Sequence, residues 1–213
     1  MAFIPMGTTN DFGHSLKVPF DKLAVSKNLN NYKVKEIDMG TIDDKPFNYV
    51  VSMGLFSKSS YKTSRKWKNR IGKAAYYLNG VKELFHYKTH KLKITIDGGK
   101  VIEGDYLYGS ISNSRYMGGF PVFWKKDIQL DDGKFEVLLA KKPKTIINTT
   151  IVVIKILLGN LNDKHITYAT ASSLDIEAPE GVELSIDGEY GGNVKSVKIK
   201  VNQKATKYLV PDK

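Results

Sequence analysis

The chain has 213 residues, with 33 Lys or Arg against 22 Asp or Glu and a formal net charge of +11. Its 41% hydrophobic and 26% charged residues are the make-up of a globular chain that buries a core, which excludes a disordered polymer. The lack of cysteine excludes disulfides and thiolate chemistry. The most apolar run, Ile151 to Leu158, is broken by Lys155 and falls far short of the roughly 20 residues of a membrane-spanning helix.

The chain opens with a short apolar run, Ala2-Phe3-Ile4, followed by Pro5-Met6-Gly7-Thr8-Thr9-Asn10-Asp11-Phe12-Gly13-His14. Gly7 supplies a permissive turn, and Thr8, Thr9 and Asn10 are side chains that donate to phosphate oxygens or cap a helix beginning at Asp11. By pattern alone the segment is equally an ordinary strand, turn and N-cap. Phe47, Tyr49, Val51 and Met53 then alternate as in a half-buried strand. Tyr61 to Arg70 interleaves basic and aromatic residues, and Ile71, Ala75 and Leu78 with Ala74, Val81 and Phe85 predict an amphipathic helix.

Leu92, Ile94 and Ile96 alternate up to an Asp97-Gly98-Gly99 turn, which predicts a hairpin with Lys100 to Glu103. Asp131-Asp132-Gly133 reads as a turn between Ile128 and the alternating Phe135, Val137 and Leu139. Ile147, Ile151, Ile154 and Leu158 predict a broad apolar face at helical spacing on a second helix ended by Gly159. Val182, Leu184 and Ile186, then Val197, Ile199 and Val201, complete the alternating sets around Asp187-Gly188-Glu189. Many short strands with a few helices predict a mainly β (α+β) chain built on a β-sandwich. Polar residues 17 to 32 mark a composition boundary near residue 30.

Ile-Pro-x-Gly-Thr-x-Asn-Asp-Phe at Ile4 to Phe12 resembles the second nucleotide-site motif of the diacylglycerol kinase family of soluble lipid kinases. Four further stretches are similar to that family's landmarks, in its order: Ile71 to Leu78, Gly109-Ser110-Ile111-Ser112-Asn113 leading to Gly118-Gly119, Asp131-Asp132-Gly133, and Ser185-Ile186-Asp187-Gly188-Glu189. The family's earlier Gly-Gly-Asp-Gly-Thr loop does not occur in the chain. The resemblance therefore implies the C-terminal two-thirds of a kinase, inactive alone. It implies residues 1–30 as a remnant of an α/β nucleotide-binding domain, residues 31–203 as a β-rich domain of NAD kinase-like architecture, and residues 204–213 as a tail returning to the nucleotide domain.

The same resemblance assigns roles. Glu189 is implied as the general base for the lipid hydroxyl and Asp187 as its supporting carboxylate, although Asp-Gly-Glu alone reads as a solvent-exposed turn. Gly7, Thr8, Asn10 and Asp11 are implied at the ATP site, with Thr8 touching the nucleotide. Asp132, with the backbone carbonyls of Gln129 and Lys134, is implied as a structural Mg²⁺ site. His14 departs from a family arginine, which leaves the charge there dependent on pH.

His86, His90 and His165 form no metal or triad pattern, and no Gly-x-Ser-x-Gly elbow supports hydrolase chemistry. The positive charge calls for an anionic partner. Lys58, Lys62, Arg65, Lys66, Lys68 and Arg70, with Tyr61 and Trp67, are expected to face an anionic membrane, with no nucleic acid expected. The resulting expectation is an ATP- and Mg²⁺-dependent lipid kinase, cytoplasmic and peripheral at the inner membrane face, acting on a lipid such as diacylglycerol and compatible with a homodimer. The rival reading is a non-catalytic basic β-rich module that binds anionic membrane or nucleic acid.

Overall fold

The computed structural model describes residues 1–7, 9–55, 87–123 and 126–212. Two short helices, α1 (Asp11–Ser15) and α2 (Lys22–Asn28), lead into β1 (Tyr32–Ile42), β2 (Lys45–Phe47) and β3 (Val50–Gly54). After them come β4 (His90–Ile96), β5 (Lys100–Ser112), β6 (Phe135–Lys141), α3 (Ile146–Leu157), β7 (Ile166–Ala171), β8 (Ser173–Ile186) and β9 (Glu189–Pro211). The strands join in one antiparallel sheet of order β2-β1-β9-β8-β3-β5-β6-β7, with β4 pairing β5 and β8 off that path.

The long strands β5 and β8 each serve two partners. Their outer parts pair with β4, and their inner parts pair with β3. The four strands close into a ring, and the sheet folds over on itself as a sandwich. Between its layers lies an apolar core built from the alternating sets: Leu92, Ile94 and Ile96; Val51 and Met53; Phe135, Val137 and Leu139; Val182 and Leu184; Val197 and Ile199. Period-two patterning thus becomes one buried layer, as expected of a mainly β chain.

Three hairpins share a turn chemistry. Asp43-Asp44, Asp97-Gly98 and Asp187-Gly188 all have positive φ at both central residues, the geometry that primed hairpin turns demand. In each, the leading aspartate turns its carboxylate onto a neighbouring strand. Asp43 Oδ1 accepts Lys198 N–H, and Asp97 Oδ1 accepts the N–H groups of Ser172 and Ser173.

A second core covers the outer face of the sheet. Phe12, Leu16, Val18 and Val25 of the opening segment meet Ile37, Leu138, Val152, Ile156 and Tyr208 there. Gly13 is required in this packing, because a Cβ on it would lie 2.5 Å from the Phe3 ring. Residues 206–211 of β9 pair with Tyr32 to Ile37, and Leu209 bridges to Ala2 at the start of the chain.

The second helix turns the apolar face read from its sequence outward. Gly159 ends α3 at φ 62, as its sequence predicts, and Thr145 caps its start. Yet α3 buries Thr149, Val152, Val153 and Ile156, while Ile147, Ile151, Ile154 and Leu158 face outward. The helix is apolar on two sides, so spacing alone does not say which side the sheet takes. The predicted helix at residues 71–85 and the basic stretch at 58–70 lie outside the described residues.

Candidate active site

The opening loop is closed by its own side chains. Gly7 N–H donates to Asn10 Oδ1 at 2.7 Å, and Asn10 Nδ2 donates back to the Gly7 carbonyl at 2.9 Å. Asn10 stands in the left-handed region at φ 49 and makes no side-chain cap bond to α1, so its amide holds the Gly7 turn. Thr8 lies outside the described residues.

Asp11 is almost wholly buried at 3% exposed. Its Oδ2 accepts Gly118 N–H at 2.7 Å and its Oδ1 accepts Gly119 N–H at 2.8 Å, with Thr9 Oγ1 adding a longer bond. Burial pushes its carboxyl above the ordinary range, against the pull of these donors and of His14. Gly118 and Gly119 both have positive φ, which turns successive N–H groups towards one acceptor. Ser15 and Ser114 add a second tie between the segments at 2.7 Å. His14 is stacked on Tyr116 with ring centroids 4.6 Å apart and lies against Phe20 at 4.1 Å.

Asp187 is committed in the same manner. Its Oδ2 accepts Asn48 N–H at 2.7 Å and its Oδ1 accepts the N–H groups of Tyr49 and Val50 at 3.0 Å. Glu189, two residues on, is exposed at the start of β9, with no partner for its carboxylate among the described residues. One turn therefore carries a braced carboxylate and a free one.

Residues 48–50 connect this turn to the opening loop. Tyr208 Oη donates to Asn48 Oδ1 at 3.1 Å, and its ring meets Phe12 edge-on at 5.3 Å, while Phe12 lies 6.3 Å from Tyr49. Gly7, Asn10, Asp11, the Gly118-Gly119 turn and the Asp187–Glu189 hairpin thus belong to one end of the molecule.

The Asp131-Asp132-Gly133 turn forms a separate station. Asp132 is exposed and its Oδ1 accepts Lys134 N–H at 3.0 Å. Beneath it Asp38, 1% exposed, accepts Gly133 N–H at 2.6 Å and Lys204 N–H at 2.7 Å. Burial raises the Asp38 carboxyl, and the charges of Asp132 and Asp131 raise it further against the donors. Lys35 Nζ lies 3.8 Å from Asp131. Negative charge so concentrated fits a hard cation. Among the described residues no three His, Asp or Glu side chains converge as a metal cage. An ion here would rest on Asp132 and on backbone carbonyls such as those of Gln129 and Lys134.

Asn113 links the two stations. Its N–H donates to the Tyr49 carbonyl, and its Nδ2 donates to the carbonyls of Asp38 at 3.2 Å and Leu130 at 3.3 Å. Its Oδ1 is buried with no partner among the described residues. Close by, buried Glu136 accepts a hydrogen bond from Tyr168, and burial pushes its carboxyl up to about 7. Asp38 and Glu136 were not foreseen as site residues. An acid within an alternating strand looks like its solvent face until a β-bulge, here between Ile37 and Met39, or a covering helix buries it.

Residues 49–209 match the family model described as the YegS C-terminal NAD kinase beta sandwich-like domain. The chain is 30% identical over 193 residues to a diacylglycerol kinase of Bacillus subtilis (strain 168), covering 90% of this chain and 63% of that protein. It is 31% identical over 210 residues to a diacylglycerol kinase of Staphylococcus carnosus (strain TM300), covering 98% of this chain and 68% of that one. A crystal structure of a diacylglycerol kinase from Bacillus anthracis str. Sterne superposes with a TM-score of 0.71 at 26% identity, over 98% of this chain and 68% of that one. The chain thus spans about two thirds of the length of the relatives it matches. By the domain matched across most of its residues and by a relative two-thirds covered, the chain belongs to the diacylglycerol kinase family and carries its NAD kinase-like β-sandwich domain.

Proposed function

We propose that this chain is the acceptor-side part of an ATP-dependent lipid kinase that moves a phosphoryl group to a lipid hydroxyl, with diacylglycerol as the substrate class. The observation that carries the reading is the contact of Phe12, next to the Gly7–Asp11 loop, through Tyr208 and residue 48 with the hairpin that presents Glu189. Phosphoryl transfer needs a phosphate cradle, charge compensation and a base at the attacking hydroxyl. In this reading Glu189 accepts the hydroxyl proton, because it is the carboxylate of the hairpin without a donor among the described residues. Asp187 sets the hairpin's position through its three N–H contacts and handles no proton.

Gly7, Thr8 and Asn10 border the nucleotide. Asp11 acts one step back, by fixing the Gly118-Gly119 turn beside them. Mg²⁺ at the Asp131–Gly133 turn would be held by the Asp132 carboxylate and the carbonyls of Gln129 and Lys134, and would offset the negative charge above Asp38. ATP, a lipid acceptor and an anionic membrane surface are the partners this chemistry requires. No helix among the described residues is long and apolar enough to cross a membrane. A chain with no Gly-Gly-Asp-Gly-Thr loop is expected to need one supplied before it turns over ATP, since positioning provides most of the rate in phosphoryl transfer.

The test is phosphatidic acid formation from diacylglycerol and ATP by the longest natural form of the protein. Glu189→Gln should lower kcat by about 10²- to 10⁴-fold at unchanged melting temperature. Near-wild-type turnover in that variant would remove Glu189 from the chemistry.

A further inference from the structure

Along α3, Ile147 is 70% exposed, Ile151 43%, Ile154 48% and Leu158 63%, although the opposite side of the same helix is packed into the core. The spacing of these residues draws a single aliphatic stripe roughly 16 Å long on the surface. Lys155 is the one ionisable residue of the helix, and its Nζ is committed to Asp163 at 2.6 Å. Exposed Lys141, Lys142 and Lys144 precede the helix in the chain and exposed Lys164 follows it. Lys142 donates to the Tyr87 carbonyl and Lys141 lies 5.7 Å from the Tyr106 ring, both neutral partners. Among the described residues none of the four pairs with a carboxylate.

We propose that this face of α3 docks onto an anionic lipid bilayer, its isoleucines and Leu158 seated at the top of the acyl chains and the flanking lysines on headgroup phosphates. A helix apolar on both sides calls for a second apolar environment. The chemistry of the stripe and of the flanking residues decides which one. The stripe has no aromatic, Met or Arg residue of the kind that anchors protein interfaces, and lysine is depleted in such interfaces. Aliphatic side chains flanked by lysines suit an interfacial helix, where the lysine stems lie along apolar surface and their charges meet anionic headgroups. A second copy across a two-fold axis would instead bring two sets of lysines together. Val152 and Ile156 share a core with Phe12, so the docking face and the candidate site lie on one side of the sheet. The inference deepens the lipid-kinase reading and rests on it only for the membrane as partner.

The lack of cysteine allows a direct test on the full chain. A polarity-sensitive dye is attached at Ile151→Cys, with exposed Val34→Cys on β1 as control. Phosphatidylglycerol-containing vesicles should shift the Ile151 dye to shorter wavelength and leave the Val34 dye unchanged, and pure phosphatidylcholine vesicles should shift neither. Ile147→Asp with Leu158→Asp should lower vesicle partitioning about tenfold or more at unchanged melting temperature. Vesicle binding with an unmoved Ile151 dye, or no vesicle binding, overturns the inference. So does a dye already in an apolar setting without vesicles: light scattering then tells a second copy from cover by residues 56–86. A protein that phosphorylates diacylglycerol in detergent but leaves the dye unmoved loses this inference and keeps the kinase reading; a shifted dye without kinase activity does the reverse.

Discussion

The two faces of the sheet are built on different chemistry. The inner core between the sandwich layers is aliphatic and aromatic, filled by residues that alternate along their strands. The outer core also holds Phe12, Leu138 and Ile156, but Asp11, Asp38, Asn113, Ser114 and Glu136 are buried beside it. Ser110, Ser112 and Glu136 alternate with Ile111, Phe135 and Val137 of the inner core, so the strands themselves sort apolar from polar. The inner layer specifies the sandwich. The outer layer locks loops to one another, and each buried carboxylate there has backbone N–H donors or a hydroxyl donor.

The sharpest test of this contrast sets one truncation against the other. Ile94→Ala, in the inner core, should cost about 3–4 kcal/mol through lost burial and a cavity. Asp11→Ala should cost about 2–3 kcal/mol, since the Gly118 and Gly119 N–H groups are left buried without an acceptor. Urea unfolding followed by circular dichroism measures both. An Asp11→Ala variant as stable as wild type would mean that the outer layer is not held by its carboxylates.

Within the Asp187–Glu189 hairpin the contrast is sharper still, because the acids are two residues apart. Asp187→Ala should cost about 2 kcal/mol, as three N–H groups lose their acceptor. Glu189→Gln should stay within about 0.5 kcal/mol of wild type, since Glu189 is exposed and has no partner among the described residues. Equal losses in thermal melts would remove the division into a brace and a base.

The sandwich was legible because half-buried strands repeat every two residues, and Leu92, Ile94 and Ile96 or Val197 and Ile199 state that repeat without interruption. The Asp97-Gly98 and Asp187-Gly188 turns were legible for an equally local reason, the demand for positive φ. What could not be read was direction and depth. Nothing local tells that the Asp187 carboxylate reaches back to residue 48, or that Asp11 closes on glycines more than a hundred residues away. The two sides of α3 differ only in which one meets the sheet, a tertiary fact. Asp38 in β1 offered no signal, since its burial follows from a bulge and from the Gly133 turn folded over it.

The attachment of α3 offers a pH test of smaller size. Asp163 accepts bonds from Lys155 Nζ at 2.6 Å and from His165 N–H at 2.9 Å, and these hold its carboxyl well below the usual range, Lys155 foremost. A depressed folded-state value contributes stability that is present above the unfolded value near 3.8 and is lost as pH falls through the folded one. Asp163→Asn should therefore cost about 1–2 kcal/mol at pH 7 and less as the pH drops below 4. Melting temperatures of the two proteins that stay equally far apart from pH 7 to pH 2 would contradict the pairing.

The smallest expected effect concerns the outward side of the same helix. Ile147 is 70% exposed near the start of α3, and little of its side chain leaves water on folding. Ile147→Ser should shift stability by no more than about 0.5 kcal/mol, because neither a cavity nor an unsatisfied buried group results and the change in helix preference is slight. Ile156→Ser, one face round and 8% exposed, makes the counter-case, since it removes buried aliphatic surface and buries a hydroxyl. If Ile147→Ser melted as early as Ile156→Ser, the outward stripe would be covered in the free protein, and the inner and outer sides of α3 would be two halves of one core. If the two separate as expected, isoleucine at 147 adds almost nothing to folding. Its place on the surface then has to be explained by what the helix meets outside the molecule.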